Sequence, residues 1–143
     1  MVTIHDQMHR ILISLNGEMD QRMRDIGLKG AHGQPLLQLM QRPGITFAEL
    51  ARKCGQKSGS ISRLLDRLEA LGLCRRSRSS QDRRLVSVEL TSAGIAKACL
   101  IPALMDSVES VATAGLTIAE SKQLTGLMEC VLVKIGSARG QVP

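Results

Sequence analysis

The sequence predicts a mostly α-helical fold with one small β-hairpin. Hydrophobic residues form 43% of the 143-residue chain but aromatic residues form 1%, so the core must be aliphatic. Such a core suits helix packing better than a β-sandwich, where aromatic and β-branched residues are enriched. Apolar residues recur at helical spacing along most of the chain, and strand-like alternation is confined to one short region. The length is typical of one domain, so we predict a single domain over 1–143.

A long amphipathic helix is predicted over roughly residues 4–25 and ends at Gly27. Its apolar residues stand three and four positions apart, which places them on one face: Ile4, Met8, Ile11, Leu12, Leu15, Met19, Met23 and Ile26. A chain of this length needs only a modest core. We therefore expect this face to pack against a second copy of the chain, and we assign residues 1–30 as a dimerisation helix.

Residues 92–143 are predicted to supply the C-terminal dimerisation helices. A helix over about 92–113 contains Pro102, which should kink or divide it. A capping box at residues 117–120 opens the last helix, whose apolar stripe consists of Leu124, Leu127, Met128, Val131, Leu132 and Ile135. We expect the tail from Ser137 to be frayed.

Two short helices precede the middle of the chain. The first covers about 34–41 and is followed by a turn. The second runs from Phe47 to about Lys53, because Thr46 and Glu49 can form a capping box in which each side chain bonds the other's backbone amide.

A further helix is predicted to begin at Ser58, a favourable N-cap residue, and to end at Gly72. Only residues 54–57 separate it from the preceding helix. Two short helices joined by about four residues that include a glycine match the helix-turn-helix signature.

A β-hairpin follows. Residues 73–77 are a strand candidate, 78–84 form a charged loop, and 85–90 alternate as a return strand. The order helix, helix, strand, charged loop, strand is that of a winged helix-turn-helix, which we assign to residues 31–91.

The positive charge of the chain is concentrated in residues 52–84. That segment has ten basic and three acidic side chains, a net +7, whereas the rest of the chain carries nine basic and ten acidic side chains, a net −1. A local basic field indicates nucleic-acid binding. On charge alone, a solvated basic face or an acidic protein partner remains an alternative.

The helix after the turn would present its first turns to duplex DNA. Small polar side chains let a helix enter the major groove, and free amides at its N-terminus favour phosphate. Arg63 lies where an arginine can bond guanine bidentately, and Arg67 could reach a phosphate or stay solvated. Arg52 and Lys53 can neutralise backbone charge beside the turn. The predicted DNA-binding residues are Arg52, Lys57, Ser58, Ser60, Ser62, Arg63, Arg67, Arg76, Arg78, Asp82, Arg83 and Arg84.

The charged loop would place arginine in the minor groove, where the negative potential is deepest. Asp82 is unexpected beside DNA unless it holds an arginine, and we hypothesise that it pairs with Arg84 and orients it. The alternative is a charged hairpin tip with no role.

Three segments carry a resemblance to a known family: ITFAELARKCG, SISRLLDRLEALGL and DRRLVSVELTSAG. Over about residues 36–96 the chain resembles the MarR (multiple-antibiotic-resistance regulator) family. The last segment is the most specific, because the family shows Asp-x-Arg, a short strand, Leu-Thr and then Gly. Here those are Asp82, Arg84, Leu90, Thr91 and Gly94.

The resemblance implies an obligate homodimer formed by the first helix and the last two helices. It implies a transcription regulator that recognises a pseudo-palindromic promoter site, often as a repressor released by a ligand or an oxidant. Arg63 matches the family's base-contacting position, Arg84 its wing arginine, and Asp82 the residue that orients that arginine.

The effector stays open, and no cofactor is expected. The family's ligand pockets tend to include aromatic side chains. Phe47 is the only one here and is assigned to the core, so aromatic stacking of a phenolic effector is doubtful, whereas aliphatic and Met-lined pockets are possible.

The four cysteines are expected to be free thiols in a reducing compartment. Redox control is an alternative: Cys74 precedes two arginines and Cys54 lies beside the turn, whereas Cys99 and Cys130 are expected to be buried. His5 and His9 are spaced for one helix face, but a lone pair does not predict a metal site.

Other functional classes have weaker support. No nucleophile elbow, phosphate loop or Rossmann fingerprint is present, so we expect no enzyme. A winged-helix protein-interaction module is the main alternative, and RNA binding is a weaker one because A-form RNA closes its major groove to helices. No secretion signal or membrane-spanning run is apparent, so we expect a cytoplasmic protein.

Overall fold

The predicted order of helices and strands is confirmed by the structure, a computed structural model that describes residues 1–138. Residues 139–143, part of the predicted C-terminal dimerisation segment, lie outside the described residues. The helices and strands are α1 (Ile4–Arg24), α2 (Gly33–Gln41), α3 (Phe47–Lys53), α4 (Ser58–Ala70), β1 (Cys74–Arg78), β2 (Val86–Leu90), α5 (Ser92–Ala98), α6 (Ile101–Thr113) and α7 (Ile118–Ala138).

The chain divides into two compact units, residues 1–108 and residues from 109 onward. The first unit contains an aliphatic core, as the composition requires. Its largest fully buried side chains come from α1, α2, α3, α4, β2 and α6: Met23, Pro35, Leu36, Leu39, Leu50, Ile61, Leu65, Leu68, Val88 and Ile101. The assignment of separate dimerisation and DNA-binding segments within one domain stays a prediction.

Helix α1 begins at a capping box that the sequence analysis did not identify. The hydroxyl of Thr3 accepts the amide of Asp6 at 3.1 Å, and the carboxylate of Asp6 accepts the amide of Thr3 at 3.3 Å. The side chains of Ile4, Ile11 and Leu12 are exposed along the helix. The first half of the apolar stripe is therefore uncovered within this chain.

The helix-turn-helix consists of α3 and α4. Thr46 caps α3 by accepting the amide of Glu49 at 3.2 Å, which is one half of the predicted capping box. Ser58 is not the N-cap of α4: it is the first helical residue, and Lys57 occupies the cap position without a side-chain hydrogen bond. Gly72 ends α4 with a φ of 74°, a left-handed conformation that suits glycine.

Strands β1 and β2 form the predicted antiparallel hairpin, here called the wing. Cys74 pairs with Leu90 at its base and Arg78 with Val86 at its outer end. An isolated bridge between Thr46 and Ser87 joins β2 to the start of α3. The wing is thus attached to the helix-turn-helix near the outer end of β2.

Pro102 divides the long helix predicted over 92–113. Helix α5 ends at Ala98, and α6 begins at Ile101 with Pro102 in its first turn, where proline is tolerated. Thr91 caps α5 by accepting the amide of Gly94 at 3.1 Å.

Helix α7 begins at the predicted capping box. The amide of Thr117 donates to the carboxylate of Glu120, and the amide of Glu120 donates to the hydroxyl of Thr117, both at 3.1 Å. These bonds lower the pKa of the Glu120 carboxyl. The helix continues to Ala138, so the expectation of a frayed tail from Ser137 is wrong for Ser137 and Ala138.

Candidate nucleic-acid interface

Helix α4 separates an apolar face from a polar one. Ile61, Leu65 and Leu68 point into the core and are fully buried. On the other side of the helix, Ser58, Ser60, Arg63 and Arg67 are exposed and Ser62 is half-buried. The periodicity that buries the leucines therefore also presents the predicted recognition residues to solvent.

Arg63 has no hydrogen-bond or ion-pair partner among residues 1–138, so its guanidinium donors are available to a ligand. Arg52 and Lys57 are also exposed, on either side of the turn between α3 and α4. No side chain caps the first turn of α4. This end of the helix offers cations, hydroxyls and backbone amides together.

The wing loop is ordered by its own hydrogen bonds. The hydroxyl of Ser79 accepts the amides of Gln81 and Asp82 at 3.2 and 3.3 Å. Asp82 Oδ1 accepts both the amide of Arg84, at 3.0 Å, and its Nε, at 3.3 Å. The hypothesis that Asp82 pairs with Arg84 is confirmed, and the arginine side chain remains 92% exposed.

Arg78 has a role inside the wing that the sequence analysis did not anticipate. Its guanidinium donates to the carbonyl oxygen of Arg83 at 2.9 Å, across the hairpin loop. This bond uses part of the donor capacity that was assigned to DNA. Arg83 itself is exposed.

Arg76 also differs from the expectation of a DNA contact. Its Nε donates to Glu69 Oε1 at 2.7 Å, and its guanidinium also contacts the carboxylate of Asp66. The side chain is 24% exposed. These hydrogen bonds raise the pKa of Arg76 and lower that of Glu69. A guanidinium already paired with two carboxylates is poorly suited to bind phosphate, so the geometry argues against this assignment.

Phe47 lies between the core and the surface. It packs against the buried cluster, in line with its assignment to the core. It also lines an open pocket of about 370 Å³ together with Arg76, Ser77, Arg78 and Val86. This pocket contains only one aromatic side chain, in keeping with the composition.

The cysteines are distributed differently from the expectation. Cys74 is buried, and burial raises its pKa to about 11; burial also raises the pKa of Cys54. A raised pKa disfavours the reactive thiolate, so both residues are poor oxidant sensors. Cys99 and Cys130, expected to be buried, are exposed.

The three histidines do not form a metal site among residues 1–138. The rings of His5 and His9 lie parallel with centroids 6.2 Å apart, and residues 1–138 contain no group of three or more side chains that could hold a metal. His32, which the sequence analysis did not single out, is buried, and its Nδ1 accepts the amide of Lys29 at 3.1 Å. Burial lowers its pKa. No local pattern marks this residue, because its burial follows from tertiary packing.

Comparisons with known proteins agree with this geometry. The family model described as "MarR family" matches residues 26–85. The HTH-type transcriptional regulator TtmR of Methylorubrum extorquens is 41% identical over 59 residues, which are 41% of this chain and 30% of that protein. The HTH-type transcriptional repressor Rv2887 of Mycobacterium tuberculosis is 27% identical over 130 residues, 91% of each chain.

A solved structure extends the similarity to most of the chain. A mutant MarR from E. coli, crystallised with operator DNA, is 25% identical with a TM-score of 0.84, covering 90% of this chain and 93% of that one. Among residues 1–138, no single helix is long and apolar enough to cross a membrane, and only α5–α6 and α7 taken together reach that composition. The segments ITFAELARKCG, SISRLLDRLEALGL and DRRLVSVELTSAG, the winged helix-turn-helix and these relatives together show that the chain is similar to MarR-family winged-helix regulators, by the family model over residues 26–85 and by fold over most of its length.

Proposed function

We propose that this protein is a sequence-specific DNA-binding transcription regulator. It acts as a repressor that binds pseudo-palindromic promoter DNA as a homodimer. The observation that carries the proposal is the pair of exposed arginines on neighbouring elements: Arg63, unpartnered on α4, and Arg84, held by Asp82 at the wing tip. Its relative MarR was crystallised with operator DNA, which supports the proposal.

Helix α4 is proposed to enter the major groove. Its first turn carries only short side chains at Ser58, Gly59 and Ser60, which leave room for close approach. Arg63 can then bond guanine O6 and N7 bidentately. The uncapped amides and the flanking cations can bond the phosphates that fix the helix in register.

The wing is proposed to enter the adjacent minor groove. Arg84 is exposed and projects from a loop that is ordered before DNA binds. A narrow minor groove attracts arginine through its negative potential, so this contact reads groove width as well as charge. The proposed contact residues are Arg52, Lys57, Ser58, Ser60, Ser62, Arg63, Arg67, Arg83 and Arg84, with Asp82 as the orienting residue.

A second copy of the chain is proposed to cover the apolar faces of α1 and α7. Each helix by itself exposes large aliphatic side chains, including Ile11 and Leu12 on α1 and Leu127 and Leu132 on α7. Exposed apolar patches of this kind mark interaction surfaces. Two-fold symmetry would place the two copies of α4 about 34 Å apart, one turn of DNA.

The proposal extends to the location of the protein, its lack of a catalytic role and its effector. The protein works in the cytoplasm, where promoter DNA is accessible, and has no catalytic role. Its relatives are transcription regulators rather than enzymes. A small-molecule effector is compatible with the fold, and its chemical class stays open.

Fluorescence anisotropy tests the proposal. Labelled duplexes from the DNA upstream of this protein's coding sequence are titrated with the protein across about 50–200 mM salt, with scrambled duplexes as the control. We expect sequence-preferring binding with a steep salt dependence. Arg63→Ala should weaken specific binding by roughly 1–3 kcal/mol and relax selectivity, whereas Arg84→Ala should lower affinity more evenly.

Arg24→Ala is a suitable control because Arg24 is exposed on α1, outside the basic segment. It should leave DNA affinity nearly unchanged. Binding that ignores sequence and responds equally to Arg24→Ala and Arg63→Ala would contradict the proposed interface and favour a protein-interaction module.

A further inference from the structure

We propose that Arg76 is a positioning residue that fixes the wing against the recognition helix α4 and thereby sets where Arg84 stands relative to Arg63. The inference rests on the proposed function. It assigns a different role to a residue that sequence reasoning placed among the DNA contacts.

The contacts of Arg76 span two elements. Its backbone amide donates to Glu69 Oε1 at 3.1 Å, and its Nε donates to the same oxygen at 2.7 Å. Its Nη2 reaches Glu69 Oε2 at 3.3 Å and also contacts Asp66. Asp66 and Glu69 lie three residues apart on α4, so both carboxylates occupy one face of the helix. One strand residue is therefore held by two acidic residues of α4.

Arg76 is also the outermost residue of β1 that is hydrogen-bonded to α4 among residues 1–138. Closer to the base, the Cys74 thiol lies 4.0 Å from the carbonyl oxygen of Leu65. Farther out on β1, the side-chain hydrogen bonds stay within the wing: Ser77 with Ser87, and Arg78 with Arg83. Strand β2 is joined to the start of α3 instead, through the Val88 amide, which donates to the carbonyl oxygen of Ile45 at 3.0 Å, and through the Thr46–Ser87 bridge. The bonds at Arg76 are thus the outermost hydrogen bonds that tie the wing directly to α4 among residues 1–138.

The guanidinium of Arg76, paired with the carboxylates of Asp66 and Glu69, differs chemically from one that is free to bind phosphate. The two carboxylates compensate the charge of Arg76, so its contribution to the basic surface is small. A bidentate arginine–carboxylate pair has fixed geometry, which suits a structural clamp between a helix and a strand. Arg75 is the matched control, since it is the neighbouring cation on β1, is exposed and lies opposite Glu89 in the hairpin register.

The first test needs no DNA. Trypsin cleaves after Arg83 and Arg84 in the wing loop, and the cleavage rate follows how often the loop opens. We expect Arg76→Met and Glu69→Gln each to raise this rate by about fivefold or more, and Arg75→Met to change it by less than about twofold. Urea unfolding of each variant establishes that the domain remains folded. Equal wing cleavage in Arg76→Met and Arg75→Met would overturn the proposal.

The second test uses a duplex enriched from a random pool of DNA by binding to the wild-type protein. We expect Arg84→Ala to lower affinity for it about tenfold in the wild-type background but less than about twofold in the Arg76→Met background. Arg63→Ala should lower affinity by the same factor in both backgrounds. An equal loss for Arg84→Ala in both backgrounds would show that Arg76 does not position the wing.

Glu69→Gln separates positioning from charge. This variant keeps Arg76 and makes the protein more positive by one charge, so a purely electrostatic role predicts tighter DNA binding. Positioning predicts weaker binding to the selected duplex and no loss on scrambled DNA. Tighter binding to the selected duplex together with unchanged trypsin cleavage would overturn the proposal. If no duplex is enriched, the proposed function fails, and the cleavage rates still decide whether Arg76 holds the wing.

Discussion

Helices α4 and α7 differ in how far their apolar side chains are buried within one chain. Helix α4 has 13 residues and buries Ile61, Leu65 and Leu68 within its own chain. Helix α7 has 21 residues and a more apolar composition, yet none of its described residues is buried. The contrast teaches that the first unit buries its apolar residues within one chain, whereas the apolar face of α7 stays exposed within one chain, in line with the proposed dimer.

Substitution of Gly94 is expected to destabilise the first unit more than any other change considered below. A Cβ at this position would stand 1.9 Å from the carbonyl oxygen of Leu73, which is backbone and cannot rotate away. We expect Gly94→Ala to lower the free energy of unfolding by about 3 kcal/mol or more, measured by urea denaturation followed by circular dichroism.

Gly59→Ala is the control for that substitution. Gly59 lies in the first turn of α4, and nothing stands within 4 Å of the added Cβ. This variant should have unchanged stability or gain up to about 1 kcal/mol. Equal losses in the two variants would show that the close approach at Gly94 is not what limits the fold.

Leu132 tests the unpartnered face of α7. Its side chain is 57% exposed in one chain and is proposed to be covered in the dimer. We expect Leu132→Glu to raise the dimer dissociation constant by about 100-fold or more, because a carboxylate would be buried without a partner. Sedimentation equilibrium measures the constant directly.

Lys122→Gln changes the net charge by the same amount at an exposed position outside the apolar stripe of α7 and should leave the dimer intact. If Leu132→Glu and Lys122→Gln dissociate alike, the apolar stripe is not the interface. The contrast between α4 and α7 would then need another explanation.

Ionisation of Cys74, at the boundary between α4 and the wing, is expected to have the smallest effect on the free energy of unfolding. Burial raises its pKa from 9.0 to about 11, so folding favours the neutral thiol. The contribution of this thiol to the free energy of unfolding is complete below pH 9. It is lost as the pH rises toward the pKa of the thiol in the folded protein. We expect the free energy of unfolding to fall by about 1.4 kcal/mol by pH 10.

Cys74→Val should remove the part of this pH dependence that comes from Cys74 and leave the part from Cys54, whose pKa is also raised, because valine does not titrate and fits a buried strand position. The slope between pH 8 and 10 should not depend on protein concentration, since the thiol is buried within one chain. A concentration-dependent slope would indicate that its burial requires the second copy.

Sequence patterns predicted those parts of the fold that local chemistry determines. The capping box at 117–120, the division of a helix at Pro102 and the span of α3 are set by residues within a few positions of one another. The cap of α4 was misplaced at Ser58, because a good capping residue one position inside the helix cannot be told from the cap itself.

The candidate site was predictable where it depends on helix periodicity and less so where it depends on packing across elements. Arg63 follows from the register of the buried leucines, and the Asp82–Arg84 pair is local. Arg76 was assigned to DNA because its acidic partners lie seven and ten residues earlier, on another element. Likewise, the arginines beside Cys74 suggested reactivity, whereas its burial is a tertiary property.

The pairing of Arg84 with Asp82 also has an entropic consequence. An unrestrained arginine loses roughly 2 kcal/mol of side-chain conformational freedom when a ligand immobilises it. Here the carboxylate narrows the rotamers of Arg84 before DNA arrives, although the side chain is 92% exposed. Part of that ordering cost is therefore met during folding, and less of it opposes the encounter with the minor groove.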